Sequence, residues 1–204
     1  MSRWKVFTRV NGKLRVRNNN KSLSYKAAQK LAKRLRRSKK GKTTVIRPVP
    51  LEGLTIVPRE RWAAAPYNGT PTPRGSSRIG RIHHTAGPQP KNHFASEAKL
   101  MRDTQAFHQK TRGYADIGYH FVIMPSGKVF EGRELVFRGA HTLNHNDDIG
   151  ICFAGDYTSK VLTRDQQDSY HGLCAKLGIT EVAPHRATFE TACPGNNIVR
   201  QLKL

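Results

Sequence analysis

Short apolar runs alternate with segments of helical periodicity through the last three quarters of the chain. The apolar runs cover residues 79–84, 118–124 and 149–154, and each is short enough for a buried strand. A turn at Pro125-Ser126-Gly127 folds the second run into a hairpin with residues 128–133. Two helical segments, 96–110 and 163–177, lie among these strands. This alternation predicts an α/β domain with a central mixed β-sheet flanked by helices.

The helix boundaries are marked by recognisable end signals. Ser96 is the expected N-cap of the first helix. Thr163 and Gln166 form a capping box for the second helix, and Gly178 follows its expected last residue, Leu177. These signals predict the positions of both helices but not how they pack on the sheet.

The positive charge of the chain is concentrated near its beginning. The 204 residues include 36 Lys or Arg and 14 Asp or Glu, and 17 of the basic residues but none of the acidic ones lie in residues 1–50. A segment that carries many positive charges and no negative ones attracts polyanions. We therefore expect an anionic partner for residues 1–50, either a cell-wall polymer or a membrane surface, with nucleic acid as an alternative.

The basic segment itself has the pattern of a small domain. Alternating residues flank Asn11-Gly12, which is the strongest short signal for a hairpin. A helix is expected over residues 25–40, with Lys and Arg on its outer face, followed by a strand over 43–46. The sequence thus predicts a ββαβ domain at residues 1–47, a Pro-rich linker at 48–55 and the α/β domain at 56–204.

Several other classes of protein are disfavoured. Three cysteines at no framework spacing do not indicate a disulfide scaffold. No stretch is long and apolar enough for a membrane span, and no apolar segment follows the basic N-terminus as in a secretion signal. We therefore expect synthesis in the cytoplasm, and a substrate outside it would have to be reached by another route.

A histidine and a cysteine stand eight residues apart near the end of the chain. His185 and Cys193 lie on a segment that contains Pro184, Pro194 and Gly195. Imidazole and thiolate are good zinc ligands, and the His83-His84 pair is the candidate for a third. Three protein ligands leave one tetrahedral position open, as in catalytic zinc sites. The alternative is that His185 is an ordinary surface histidine and Cys193 a buried apolar residue.

The order of the motifs indicates a family. The motifs are, in sequence, Ile82-His83-His84-Thr85-Ala86, Asp116-Ile117-Gly118-Tyr119-His120-Phe121, residues 127–133, Gly139-Ala140-His141, residues 146–151 and residues 185–195. In this order they resemble the zinc-dependent N-acetylmuramoyl-L-alanine amidases of the type 2 class, which share a fold with peptidoglycan recognition proteins and short phage lysins. The resemblance covers about residues 52–204 and leaves the basic segment outside.

The resemblance implies roles for individual residues. His83, His185 and Cys193 match the zinc ligands of the family, so one zinc ion per chain is expected. Tyr119 matches the catalytic tyrosine, and Thr191 stands where members carry threonine or lysine. Because neighbours on a strand point to opposite faces, His84 is expected to pack or to support a ligand rather than to bind the same ion.

The remaining motif residues receive weaker assignments. His141, in a Gly-Ala-His loop, and Asn144 are candidates to bind substrate in the groove. His108 and His120 are expected to have packing roles, His120 because strand alternation turns it away from Tyr119.

The resemblance implies an activity and a biological setting. The expected reaction is hydrolysis of the amide between the lactyl group of N-acetylmuramic acid and L-alanine in peptidoglycan. A phage endolysin that acts as a monomer and reaches the wall through a holin-type pore is the expected setting. A non-catalytic peptidoglycan-binding module is the alternative, although members of that class lack the cysteine that is present here as Cys193.

Overall fold

The computed structural model describes residues 54–204 and, before them, the backbone of three strands. The chain divides into two compact units, Met1–Gly53 and Leu54–Leu204. Within the described residues, no helix combines the length and the apolar character that crossing a membrane requires.

The first unit contains a three-stranded antiparallel sheet. Its strands are β1 (Phe7–Val10), β2 (Lys13–Val16) and β3 (Lys42–Thr44), in the order β2-β1-β3. Val10 pairs with Lys13, which confirms the hairpin predicted around Asn11-Gly12. The helix predicted over residues 25–40 and the end of the predicted third strand lie outside the described residues.

The second unit is built on a mixed sheet, as predicted, and this sheet has six strands. The strands are β4 (Ile56–Val57), β5 (Ile79–His84), β6 (Phe121–Ile123), β7 (Val129–Glu131), β8 (Ile149–Phe153) and β9 (Glu181–Pro184). Their order is β4-β7-β6-β8-β5-β9. Only β6 and β7 pair antiparallel, through the predicted hairpin, and all other neighbours are parallel.

Three α-helices accompany this sheet: α1 (Phe94–Ala106), α2 (Arg164–Leu177) and α3 (Asn196–Leu202). The capping box and the left-handed Gly178 bound α2 as predicted. The helix α1 begins two residues before Ser96, because the His93 side chain accepts the Ser96 N–H and is the N-cap instead. It continues directly into a π-helical turn, Phe107–Thr111, and short 3-10 turns occupy Arg59–Trp62 and His185–Ala187.

The sheet separates two apolar clusters because its side chains alternate between faces. On one face Ile151 and Phe153 of β8 pack with Leu173 of α2. On the other, Cys152 of β8 packs with Met101 of α1. The register places His83 of β5 beside Cys152, on the α1 face, while its neighbour Ile82 belongs to the α2 cluster.

The parallel pairing of β5, β8 and β9 brings their carboxyl ends to one edge of the sheet. His83 and His84 are the last residues of β5, and His185 directly follows β9. In open α/β sheets ligands bind at this edge. The topology therefore brings together two motifs that are about a hundred residues apart in the sequence.

Candidate metal centre and groove

Three side chains converge at this edge of the sheet. The metal-binding atoms of His83, His185 and Cys193 all lie within 4.8 Å of one another. Cys193 Sγ is 3.7 Å from His83 Nδ1, and two such ligands on one tetrahedral zinc ion would be separated by about 3.6 Å, given typical Zn–S and Zn–N bond lengths. The predicted set is thus assembled with a spacing that fits one bound metal ion.

The loop from His185 to Cys193 is held in shape by its own hydrogen bonds. Arg186 donates from its backbone N–H to the carbonyl of Cys193 (3.2 Å) and from Nη2 to the carbonyl of Ala192 (2.9 Å). The hydroxyl of Thr191 accepts the N–H of Cys193 (3.2 Å), and the N–H of His84 points at Cys193 Sγ (3.4 Å). These contacts hold the thiol against the end of β5.

Burial sets the protonation of the three candidate ligands. It lowers the pKa of His83 well below its usual value, and the neighbouring His141, His185 and Arg81 lower it further. Burial also lowers the pKa of His185. Both imidazoles are therefore neutral at physiological pH, which is the form that binds metals. Burial raises the pKa of Cys193 to about 11, so a bound cation must displace the thiol proton.

The second histidine of the pair is turned away from this set. His84 Nδ1 accepts the N–H of Tyr157 (3.2 Å), and its ring lies 3.8 Å from a carboxylate oxygen of Asp156. It is not one of the three residues whose metal-binding atoms converge. This arrangement agrees with the packing role that strand alternation predicted for His84.

A groove of about 960 Å³ opens above the three ligands. The helix α1 and its π-helical turn form one wall with Leu100, Thr104, Phe107 and His108. Leu143 and Phe189 contribute from the loops on the other side. Phe107, Leu143 and Phe189 are 47%, 70% and 52% exposed, so the rim of the groove is apolar. Phe189 also stacks on His185, with ring centroids 5.7 Å apart.

Tyr119 lies in this groove beside the ligand set. Its ring centroid is 5.3 Å from that of His83. Burial raises the pKa of Tyr119 well above its usual value, with smaller contributions from Cys152 and Cys193. The phenol therefore keeps its proton at neutral pH and can donate a hydrogen bond. Thr191 also lines the groove.

Buried polar contacts fix the segment that carries Tyr119. Asp116 is fully buried and accepts from Arg59 (2.7 Å) and Gln105 (2.6 Å). The structure shows that it anchors the turn before Tyr119 through partners remote in sequence.

The two predicted substrate-binding residues are placed differently. His141 lines the groove but is only 8% exposed, and both of its ring nitrogens contact other protein groups. Asn144 is exposed in a turn with φ of 61° and is not part of the groove lining. Asn146 satisfies the backbone N–H groups of His141 and Thr142. Substrate binding by His141 and Asn144 stays a prediction, since their polar contacts give it no support.

Sequence reasoning assigned His108 to packing, yet it lines the groove. Its Nδ1 accepts the N–H of Gly118 (3.0 Å), and burial lowers its pKa to about 4. The neutral ring must then carry its proton on Nε2, which has no hydrogen-bond partner among the described residues. His108 therefore offers a fixed N–H donor to the groove. Its spacing of four from Thr104 and eight from Leu100 is the sequence signal that could have placed it on this wall.

Comparison with known proteins gives the family. A family model described as N-acetylmuramoyl-L-alanine amidase matches residues 76–196. The N-acetylmuramoyl-L-alanine amidase of Sus scrofa is 38% identical over 160 residues, which are 72% of this chain and 27% of that protein. The chain thus spans about a quarter of the length of this relative.

Peptidoglycan-recognition proteins match this chain over most of their own length. Peptidoglycan-recognition protein SC2 of Drosophila melanogaster is 33% identical over 162 residues, 74% of this chain and 86% of that protein. A second match is the crystal structure of peptidoglycan recognition protein LE with tracheal cytotoxin, a monomeric diaminopimelic acid-type peptidoglycan. This match extends over 73% of this chain and 92% of the chain in that structure, with 30% identity and a TM-score of 0.70. With the sheet order, the three converging ligands and these similarities in agreement, the chain belongs to the N-acetylmuramoyl-L-alanine amidase family.

Proposed function

We propose that this chain is a zinc-dependent amidase that cleaves peptidoglycan between the lactyl group of N-acetylmuramic acid and L-alanine. The observation that carries the proposal is the complete His83, His185 and Cys193 set at the floor of an open groove, with Tyr119 beside it. Relatives named as amidases, and relatives solved with peptidoglycan fragments, support the substrate class.

Each group has a role in this proposal. A zinc ion with an open position supplies a nucleophile near neutral pH and polarises the scissile carbonyl. His83, His185 and Cys193 would hold it. Tyr119 is a phenol whose pKa is raised further by burial, and it would donate a hydrogen bond to the oxygen on which negative charge develops. Thr191 adds a hydroxyl to the groove lining, although it is neutral and stabilises charge less than a lysine would.

The apolar rim suits the non-charged parts of a muropeptide. Methyl and methylene groups of the lactyl-peptide can pack against Phe107 and Leu143, while His108 donates to a carbonyl oxygen. The same features would serve a protein that binds peptidoglycan without cutting it. What distinguishes the enzyme is the intact ligand set, since a binding module needs no open metal site.

The test of this proposal is product analysis of digested peptidoglycan. We expect new free amino groups on L-alanine and no new reducing sugar ends. A chelator should abolish cleavage, and added zinc should restore it. Undigested wall with bound protein would instead support the binding module. New reducing ends would indicate a glycosidase and would overturn the proposal.

The cysteine residues provide a matched pair of variants. Cys193→Ser removes a proposed ligand, whereas Cys174→Ser changes a free thiol of α2 that is remote from the groove lining. We expect the first variant to hold far less than one zinc per chain and the second to hold as much as the wild type. Full zinc retention by Cys193→Ser would contradict the ligand assignment.

We further propose the setting of a phage endolysin that reaches the wall through a holin-type pore. The small catalytic unit and the basic residues 1–50, which suit an anionic wall or membrane surface, support this setting. Bacteria that express the chain with a holin should lyse, and those that express it alone should not. Equal lysis in both would show that another route delivers the protein.

A further inference from the structure

We propose that His141 is a positioning residue that fixes the tautomer and orientation of His83, so that His83 Nδ1 presents a lone pair to the metal ion. The inference rests on the proposed metal-dependent function, but it concerns hydrogen bonds that are present without a metal. It assigns His141 a role different from the substrate binding expected from its loop.

The first step is the tautomer of His141 itself. Its Nε2 lies 3.1 Å from the backbone carbonyl of Asp148. A carbonyl oxygen can only accept, so a hydrogen bond at this position requires the proton on Nε2. In the neutral ring the other nitrogen, Nδ1, is then an acceptor.

The second step is the effect of the His141 tautomer on the tautomer of His83. His141 Nδ1 lies 3.2 Å from His83 Nε2. Two lone pairs would repel at that distance, so His83 must carry its proton on Nε2 and donate it. Thr142 Oγ1 lies 3.3 Å from the same nitrogen and 3.2 Å from His141 Nδ1, so its hydroxyl can donate to His141 and accept from His83. His83 Nδ1 is therefore left unprotonated, and this is the nitrogen that lies 3.7 Å from Cys193 Sγ.

The third step concerns the space that the His141 ring occupies. A Cβ added at Gly139 would lie 2.3 Å from His141 Cδ2, and one added at Gly150 would lie 2.5 Å from the same atom. Glycine at both positions therefore leaves the space that the ring fills. A larger residue at either position would force the imidazole to move away from His83.

Hydrogen bonds also hold Asp148, whose backbone carbonyl accepts from His141 Nε2. The carboxylate of Asp148 accepts from Arg81 Nη2 (2.6 Å) and from the hydroxyl of Ser77 (2.7 Å). The backbone N–H of His141 donates to Asn146 (2.8 Å). These contacts hold Asp148 and the backbone of His141, which are the first two residues of the relay from Asp148 through His141 to His83. Hydrogen-bond partners of this kind orient metal-binding histidines and raise their basicity.

The tautomer can be measured in the metal-free full-length chain. Long-range ¹H–¹⁵N correlation spectra distinguish protonated from unprotonated ring nitrogens. We expect the proton on Nε2 of both His83 and His141. A proton on Nδ1 of His83 in the metal-free wild type would overturn the inference, and because no metal is used this result is independent of whether the chain is a zinc amidase.

Zinc affinity, measured by competition with a chelating dye, gives the second readout. His141→Leu removes both ring nitrogens, while His141→Asn can keep an acceptor near the position of Nδ1. Loss of a hydrogen-bond partner of a ligand costs about 10–100-fold in metal affinity, and we expect a loss in that range for His141→Leu and a smaller one for His141→Asn. Equal affinities of wild type and His141→Leu would refute the relay.

Two further variants separate the relay from general loosening of the core. His120→Leu removes another buried ring of this region, whose nitrogens contact only the backbone of Gly150 and Phe137. We expect its zinc affinity to stay within about threefold of wild type, and a loss as large as that of His141→Leu would count against the relay. If His141→Leu does not fold, Gly150→Ala displaces the intact ring and should weaken zinc binding in the same direction; unchanged affinity there would contradict the proposal.

Discussion

At the scale of single residues, the phenol of Tyr119 and the ligand set perform different tasks. Tyr119 lies beside His83 but is not one of the three converging metal-binding residues. We therefore expect Tyr119→Phe to bind zinc with wild-type stoichiometry and to lose turnover by roughly 10²–10⁴, the usual effect of removing a positioned proton donor. Metal analysis and single-turnover cleavage of a defined muropeptide check this. Wild-type turnover in the variant would show that the hydroxyl has only a structural role.

His120 provides a prediction about stability and pH. Both of its ring nitrogens bond to backbone groups, and burial lowers its pKa to about 4. As the pH falls below 6.5 the unfolded chain gains a proton that the folded chain does not accept until about pH 4. The free energy of unfolding therefore decreases over this window, by at most about 1.4 kcal/mol per pH unit for this residue.

The measurement compares wild type with His120→Gln by denaturant unfolding without metal between pH 7 and pH 4. We expect the variant to have a lower free energy of unfolding than wild type at pH 7. The difference in free energy of unfolding between the two proteins should become smaller as the pH falls. A difference that stays constant over this range would show that His120 does not titrate as its burial implies.

The residues of the site were predictable to different degrees. His83, His185 and Cys193 were found because their residue types and the order of motifs are specific. His108 and His141 were assigned to packing and to substrate contact, respectively, because a linear motif does not show which atoms each ring nitrogen meets. Those partners, Gly118 for one and Asp148 and His83 for the other, come from other segments that only the folded chain brings close.

At the scale of secondary-structure elements, local signals predicted α2 well. Thr163 accepts the N–H of Gln166 and also donates to the carbonyl of Pro125 (3.0 Å). We expect Thr163→Ala to lower the free energy of unfolding by about 1–2 kcal/mol, the upper part of the range for an N-cap. Thr180→Ala, at an exposed position, should change it by less than about 0.5 kcal/mol.

Denaturant unfolding measures both changes, and zinc affinity serves as the internal control. The cap is not part of the groove lining, so affinity should remain at the wild-type value in both variants. A loss of zinc affinity in Thr163→Ala without a loss of stability would contradict the separation of these two regions.

Other elements could not be read from local patterns. The helix α3 is only seven residues long and follows a loop, so it has too few periodic positions to stand out. The π-helical turn after α1 contributes Phe107 and His108 to the groove wall, and no sequence signal marks it. Strand order likewise depends on pairings between distant segments, such as β5 with β9.

At the scale of the whole molecule, the charge of residues 1–50 leads to a prediction about binding to walls. We propose that this segment tethers the catalytic unit to an anionic surface. Deleting residues 1–50 should leave cleavage of small soluble muropeptides unchanged and weaken binding to whole walls at low salt. At 1 M salt, where the Debye length is about 3 Å, the two proteins should bind alike.

Sedimentation with purified walls at several salt concentrations measures the tether. Equal binding by both proteins at low salt would refute it. Competition by nucleic acid but not by wall polymers would instead favour the nucleic-acid alternative for this segment.

The pairing of β5 with β9 has a consequence for the order of synthesis. His83 and Cys193 are 110 residues apart, and β9 delivers His185 to the end of β5 only after the other five strands of the sheet have been made. A nascent chain therefore cannot bring the three candidate metal ligands together until residue 193 has been added and the edge strand has paired. Under the proposed function, a product shortened before that point lacks Cys193 and is expected to be inactive, even though it retains His83.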